Sequence, residues 1–343
     1  MKARRPALIA CATSLFMARA EATAVHAQDT TVINAYRFVI GVDVPESPAF
    51  VVVGVAPTHV LRGVAPKPLA LNVLSAFESA GEPTPGVAID VAPYFLAGGG
   101  ARRLGSYRSM SLVGRLMRVV TKTLLSLGAA RDPADSRSLL VGLGLRSTFH
   151  DPHDPLSTTL PEDVAAVLAQ AGVSAPSGAE EDVGDQVGLT QAFARARRTL
   201  RRPSANPQVS GGWGVAARLR GGVLAGDSIE TERHCLWLGA QFTAGRRFDV
   251  LTTAQLRSAF RADRYWWLGA GLERKTTAAN ILAELYYDTQ AGRVHPGIAV
   301  DVRASSHVGV VGSLTTQSAT LSGSGPRRLQ LRTLARWFYA SDR

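Results

Sequence analysis

Residues 248–260 read FDVLTTAQLRSAF, and apolar side chains alternate there with polar ones. Phe248 and Val250 fall on one face of an extended chain, whereas Asp249 and Arg257 fall on the other. Successive side chains of a β-strand point to opposite sides, so the alternation predicts a strand with one apolar and one polar face. A tilted strand of about 9–11 residues also crosses a bilayer, and this one is long enough.

The same alternation recurs along the chain and predicts about 12 strands, within a range of about 10–14. It is clearest from residue 209 to the C-terminus, and less regular at residues 69–77, 86–96, 119–128 and 137–149. Turn-like pieces rich in Gly, Pro, Asp and Arg separate the segments. Consecutive strands joined by short turns are expected to pair in the antiparallel direction.

Two architectures accommodate so many alternating strands. A transmembrane β-barrel turns its apolar face to lipid and its polar, glycine-rich face to the lumen, whereas a soluble sandwich or barrel reverses the two faces. Aromatic residues cluster at the ends of strands, at residues 265–267, 286–287 and 337–339, where transmembrane barrels carry their interfacial girdles. We therefore predict an all-β, antiparallel transmembrane β-barrel and keep the soluble β fold as the alternative.

Segments outside the strands complete the predicted organisation. Residues 1–27 have a basic start, an apolar stretch too short to span a bilayer and a Val-His-Ala site, which together indicate a secretory signal peptide. Residues 28–66 form an N-terminal extension, and residues 67–149 the first part of the barrel. Residues 150–208 form an acidic insert with helices near 158–202, and residues 209–343 complete the barrel. The signal and the barrel together predict a location in the bacterial outer membrane.

Composition narrows the classes of function. With 46% hydrophobic residues the chain is too apolar to be disordered. Its formal net charge is +11, but the basic residues are spread along the chain rather than gathered in one arm or patch. This distribution argues against a nucleic-acid-binding module, so no nucleic-acid partner is expected.

Several stretches also carry a resemblance. These are DVPESPAF at residues 43–50, PKPLALN at 66–72, GVAIDVAPY at 86–94 and LGLRSTF at 143–149. Together they resemble a group of uncharacterised bacterial outer-membrane β-barrel, porin-like proteins, over about residues 43–154. The resemblance implies the fold and the location, and it supplies no catalytic residues.

Charged residues on the polar faces are the candidate site. The alternation predicts that the following side chains line the lumen: Lys122, Arg146, Arg218, Arg220, Arg257, Glu273, Glu284, Asp301, Arg303, Arg332 and Arg336. Such a lining is typical of a mildly anion-favouring pore, and equally of a salt-bridge network that holds a narrow barrel shut. The same register places Leu143 on the lipid face and Gly144 towards the lumen, so a small polar side chain at Gly144 is expected to be tolerated.

Three functions remain open. The first is a porin-like channel for small polar or anionic solutes. The second is a non-conducting anchor or assembly component of an envelope complex, with residues 150–208 as the docking piece for a protein partner. The third is an outer-membrane hydrolase, for which Ser305, Ser306, His307 and Asp301 supply the residue types but no nucleophile elbow surrounds the serines. We expect no enzyme activity, assign no catalytic, cofactor-binding or metal-binding residues, and expect the barrel-assembly machinery and outer-membrane lipids as partners.

Overall fold

The structure is a computed structural model of the 343-residue chain. It describes residues 46–62, 69–78, 84–96, 111–132, 135, 137–152, 206–220, 229–245, 247–259, 264–276, 279–303, 308–318 and 327–339. The predicted signal peptide at residues 1–27 and the predicted helices near 158–202 lie outside these ranges.

Twelve antiparallel strands follow one another around a closed barrel, and β1 pairs with β12 to complete the wall. The predicted fold class and strand number are confirmed. The strands are β1 Leu69–Glu78, β2 Thr84–Val91, β3 Thr123–Arg131, β4 Leu139–His150, β5 Gln208–Leu219, β6 Ile229–Thr243, β7 Phe248–Ala259, β8 Arg264–Lys275, β9 Ala279–Asp288, β10 Arg293–Arg303, β11 Val308–Ser318 and β12 Arg327–Tyr339.

The outer surface of the barrel is apolar. In β8 the side chain of Leu268 is exposed while those of Trp267 and Glu273 are buried, and in β4 Leu143 is exposed while Arg146 is fully buried. Alternate residues of each strand therefore face outwards with apolar side chains and inwards with mostly polar or small ones. An apolar exterior on a closed barrel with a polar interior is the arrangement of outer-membrane β-barrels, whose outer surface contacts lipid.

Exposed aromatic side chains occur near both ends of the wall. Trp266 and Tyr287 lie where β8 begins and β9 ends, and Phe149 and Trp337 lie close to the opposite end, near the last residues of β4 and β12. Aromatic rings at these two levels match the interfacial girdles of transmembrane barrels. Not every predicted girdle residue faces outwards, since Trp267 is buried in the lumen.

Helices are short in the described residues. They are α1 Pro48–Val53, α2 Pro93–Leu96 and α3 Leu112–Thr121. The predicted strand at residues 119–128 was placed too early, because residues 119–121 end α3 and β3 begins at Thr123. Ser111 caps α3 by accepting a hydrogen bond from the Gly114 N–H at 3.2 Å, which favours the helix over an extended chain. None of the helices in the described ranges is long and apolar enough to cross a membrane.

The two longest connections leave the barrel at the same end. Residues 92–122 join β2 to β3, and residues 151–207 join β4 to β5. Because the strands alternate in direction, both connections emerge at the end where β1 begins and β12 ends. The other connections between consecutive strands are nine residues long or shorter.

Candidate functional site

Residues 46–62 lie inside the barrel and are termed here the luminal segment. Every residue of the segment except Gly54 is buried. The sequence predicts only an extension at residues 28–66, and the structure places the described part of that extension within the lumen. Ala49 contacts Ser126 on β3 and His59 contacts Glu284 on β9, which are opposite strands of the 12-strand wall. The segment therefore crosses the whole width of the lumen.

The first half of the luminal segment is the helix α1. Pro48 occupies its first turn, where the missing N–H leaves no bond unmade and the fixed φ suits a helix. Gly54 ends the helix with φ +86°, and its N–H donates to the carbonyl oxygen of Phe50 at 2.9 Å. Only glycine adopts this left-handed conformation readily. Three consecutive valines are poor helix formers, so contacts with the wall stabilise this turn of helix.

Glycines of the wall make room for α1. A Cβ atom at Gly142 would lie 2.7 Å from Cγ2 of Val53, and one at Gly144 would lie 2.7 Å from Cβ of Pro48. At Gly128 on β3 the same atom would lie 2.9 Å from Cβ of Ala49. Real Cβ atoms do not approach so closely. The glycine-rich inner face of β3 and β4 is thus shaped to fit α1.

Wall side chains satisfy the backbone of the second half of the segment. Glu284 accepts hydrogen bonds from the N–H groups of His59 and Val60 at 2.9 and 3.0 Å. Thr253 accepts from the N–H of Leu61 at 2.8 Å, and the side-chain amide of Gln255 donates to the His59 carbonyl at 2.8 Å. Arg332 donates to the carbonyl of Ala56. The wall therefore binds the backbone of the segment through side chains, and not through the backbone hydrogen bonds that join neighbouring strands.

Arg62 is the centre of a buried ionic cluster. Its guanidinium lies 3.0 Å from Glu46 within the segment, 2.9 Å from Asp301 on β10 and 3.3 Å from Glu273 on β8. Arg146 on β4 adds a second cation, 3.5 Å from the other carboxylate oxygen of Glu46. All five side chains are almost completely buried. A buried charge is costly without partners, so these groups hold the segment in one position.

Asp90 on β2 anchors the start of α1. Its carboxylate accepts hydrogen bonds from the hydroxyls of Ser47 at 2.7 Å and Ser126 at 2.5 Å, and from the Asn72 side chain at 2.9 Å. Arg336 on β12 forms an ion pair with the same carboxylate. The luminal segment is thus fixed by charged groups near both of its ends.

Aromatic rings surround the far end of the luminal segment. His59 stacks on Tyr286 with ring centroids 4.0 Å apart, and it lies 5.1 Å from Trp267. The guanidinium of Arg257 lies 3.5 Å above the Trp267 ring, and His295 also stacks on Tyr286, with ring centroids 4.9 Å apart. Within the described ranges, no three His, Cys, Asp or Glu side chains are grouped so as to hold a metal ion.

The residues predicted to line the lumen fall into three groups according to their position and contacts. Five of them contact the luminal segment, namely Arg146, Glu273, Glu284, Asp301 and Arg332. Three more are buried and bonded to residues outside the luminal segment: Arg336 to Asp90, Arg257 to Gln255, and Lys122, which lies between α3 and β3, to Asp151. The remaining three are Arg218, Arg220 and Arg303.

Those three residues lie at the ends of strands. Arg218 is partly exposed and pairs with Asp132 at 2.9 Å. Arg220 follows the last residue of β5 and is exposed at the rim rather than within the lumen, because the strand ends at Leu219 beyond a register shift. Arg303 ends β10, and its side chain lies outside the described part of the structure.

Sequence reasoning missed Glu46, His59 and Arg62, because they precede the first strand and show no alternation. The sequence gives only an indirect indication of this segment. Pro48 and Gly54 bracket a short apolar run, which is typical of a helical turn, and polar residues flank that run. Nothing in the pattern indicates that this turn would enter the lumen.

Several solved structures of outer-membrane proteins are similar to this chain at low sequence identity. No protein-family model matches the chain, and no curated protein is similar to it. A solved structure of the KdgM porin in complex with disordered oligogalacturonate is 6% identical and covers 79% of this chain and 99% of that one, with a TM-score of 0.43. The NanC porin is also 6% identical, covering 78% and 99%, with a TM-score of 0.38. Outer membrane phospholipase A from Escherichia coli is 8% identical, covering 87% and 100%, with a TM-score of 0.37.

Proposed function

We propose that this protein is a porin-like channel of the outer membrane for small polar or anionic solutes, and that the luminal segment closes it in the state described here. The observation that carries the proposal is the way the segment is held. It contributes no strand to the wall, and the wall closes through the pairing of β1 with β12. The segment could therefore leave the lumen without opening the barrel.

If the luminal segment left, the lumen would no longer be filled, and charged side chains of the wall would line it. Arg146 would lose Glu46, and Arg332 would lose the carbonyl of Ala56. On the opposite wall, Glu284 would lose the N–H groups of His59 and Val60. Water would then solvate these groups, and a polar passage lined by both signs of charge would remain.

Arginines of the inner wall support a preference for solutes with anionic groups. Arg146, Arg233, Arg257, Arg332 and Arg336 are all buried against the luminal segment or its neighbours. Guanidinium groups bind carboxylates and phosphates in a bidentate geometry. Rings of charged side chains set the electrostatic barrier that each ion meets in a pore. The inner carboxylates keep this preference mild.

A reversible crosslink provides the test. A Cβ atom at Gly269 on β8 would lie 3.0 Å from Cγ2 of Val60, so cysteines at these two positions lie within reach of a disulfide. The variant Val60→Cys/Gly269→Cys, with Cys11 and Cys235 replaced by alanine, is recorded in planar bilayers after oxidation and again after reduction with dithiothreitol. The single variant Val60→Cys in the same background is the control.

The proposal predicts no current from the oxidised pair, discrete openings after reduction, and openings of the control under both conditions. Openings should carry anions in preference to cations. Equal conductance of the oxidised and reduced pair would contradict gating by the luminal segment. No conductance in any form, with a correctly assembled barrel, would contradict the channel itself.

The second candidate is a non-conducting anchor or assembly component of an envelope complex. The close fit of α1 to the wall glycines favours it, because so tight a fit is also what a permanent core requires. In that case the luminal segment would serve as the hydrophobic core of the barrel. Residues 150–208 would then dock a protein partner, and the absence of current in the crosslinking experiment would be the expected result.

Both candidate functions require the same membrane location and the same route of assembly. The apolar exterior and the two levels of exposed aromatic rings support insertion among outer-membrane lipids by the barrel-assembly machinery. Heat-modifiable migration on a gel and fractionation with the outer membrane are the checks. Recovery of the protein from the soluble periplasmic fraction would contradict the membrane location. Ser305, Ser306 and His307 lie outside the described residues, and we propose no hydrolase activity.

A further inference from the structure

We infer that α3, Leu112–Thr121, is an interfacial helix that lies on the membrane surface beside the barrel and binds anionic lipid headgroups. This role is independent of whether the barrel conducts. The helix has an unusual feature, which is that its apolar side faces away from the protein. Leu112 is 82% exposed, Val113 65% and Leu116 56%.

The apolar residues form one continuous stripe. Leu112, Leu116 and Val120 follow each other at intervals of four residues, and Val113 lies beside them. The side of the helix that packs against the protein carries the small residues Gly114 and Thr121, which are buried. A surface helix of a globular protein normally does the opposite and turns its apolar stripe to the core.

The helix is fixed at the end of the barrel with no linker. Thr123 is the first residue of β3, and its hydroxyl donates to the Val119 carbonyl at 2.8 Å. The hydroxyl of Ser147 on β4 donates to the same carbonyl at 3.0 Å. These bonds hold the C-terminal end of α3 directly above β3 and β4.

The surface next to this point is already an apolar, lipid-facing one. Leu125 and Leu127 on β3, and Leu143 and Leu145 on β4, are exposed on the outer wall. The stripe of α3 thus continues the apolar exterior of the barrel where the wall reaches the membrane boundary. This continuity selects the bilayer, rather than a protein in solution, as the partner of the stripe.

Charge on the helix identifies the lipid class. Arg115 and Arg118 lie on the flank between the apolar stripe and the packed side. No acidic residue occurs in α3. Amphipathic helices with this arrangement lie in the interface plane, bury their apolar face among the acyl chains and hold anionic headgroups with their basic residues.

The test uses spin labels in the full-length chain. Leu116→Cys, with Cys11 and Cys235 replaced by alanine, is labelled with a nitroxide and inserted into vesicles of phosphatidylcholine with or without phosphatidylglycerol. Arg115→Cys in the same background is the matched control on the basic flank. Accessibility of each label is measured to oxygen, which concentrates in the acyl region, and to a water-soluble nickel chelate.

We expect the label at Leu116 to be accessible to oxygen and protected from nickel, at a depth of about 5–10 Å into the headgroup and acyl boundary. The label at Arg115 should show the reverse. Equal exposure of both labels to nickel would overturn the inference, because the helix would then lie in water. Protection of the Leu116 label from both reagents, with dipolar broadening between labels, would overturn it in favour of a second copy of the chain on this face.

Lipid charge is tested separately. Phosphatidylglycerol should move the Leu116 label deeper than phosphatidylcholine alone, and Arg115→Gln/Arg118→Gln should abolish this shift while leaving the barrel assembled. A shift that is the same in the arginine-free variant would overturn the assignment of the headgroup site to these two residues.

Discussion

The guanidinium of Arg62 lies 3.0 Å from the carboxylate of Glu46, so an ion pair joins the two ends of the luminal segment inside the barrel. The same guanidinium reaches Asp301 and Glu273 on the wall. One arginine therefore both closes the segment on itself and ties it to two strands. This geometry makes the segment part of the buried interior of the barrel, although it lies outside every strand in sequence.

Removing Arg62 should strongly destabilise the closed state. Arg62→Ala leaves three buried carboxylates without that cation, and removing one member of a buried ionic group typically costs about 3–5 kcal/mol. We expect a lower midpoint of urea unfolding in lipid vesicles, or a higher open probability in planar bilayers if the segment leaves without unfolding the wall. Arg264→Ala, at an exposed position at the start of β8, is the control and should change neither. An unfolding midpoint and an open probability of Arg62→Ala that both equal those of the wild type would refute the importance of the cluster.

Adding one methyl group to the inner wall should disturb the luminal segment. Gly144→Ala places a Cβ atom 2.7 Å from that of Pro48, and overpacking of this kind costs about 1–3 kcal/mol. Gly312→Ala is the matched control, since a Cβ atom there meets nothing within 4 Å. Urea unfolding of both variants measures the difference. A similar midpoint for the two would mean that the segment yields to the added methyl group without loss.

A charge on the outer wall should interfere with assembly. Leu143 is exposed on β4, next to the inward-facing Gly144. Leu143→Arg would place a guanidinium in lipid, which costs about 2–4 kcal/mol near the middle of the bilayer. The heat-modifiable fraction on a gel should fall, whereas Leu143→Ile should assemble normally. Normal assembly of the arginine variant would indicate that this position does not face the acyl chains.

Replacing Asp90 should strongly destabilise the protein. Asp90→Ala removes the acceptor of three hydrogen bonds and leaves Arg336 without this carboxylate. Loss of one side of a buried pair again predicts a destabilisation of about 3–5 kcal/mol. Asp90→Asn keeps the shape and some of the hydrogen bonds, so its unfolding midpoint should lie between those of the alanine variant and the wild type. Equal midpoints for all three would show that Asp90 contributes no net stability.

The alternation of side chains determined the strands by itself. Because a strand turns successive side chains to opposite sides, the pattern at residues 248–260 and its repeats were enough to predict the strands and their number. The aromatic clusters at the strand ends were needed as well to favour a barrel with an apolar exterior over a soluble β fold. The lipid face of Leu143 followed from the same periodicity. Local capping was the exception, since the hydroxyl of Ser111 caps the start of α3, and the helix continues to Thr121 into a stretch that also alternates.

Only the tertiary structure decided what fills the lumen. The expectation that Gly144 tolerates a small side chain is wrong, because the closed wall brings Pro48 against it although the two residues are 96 positions apart in the chain. Periodicity describes the two faces of each strand, but it carries no information about a non-repeating segment that packs against one of them. The two wall partners of Arg62 lie on β8 and β10, and Arg62 reaches them only because the closed sheet surrounds the luminal segment.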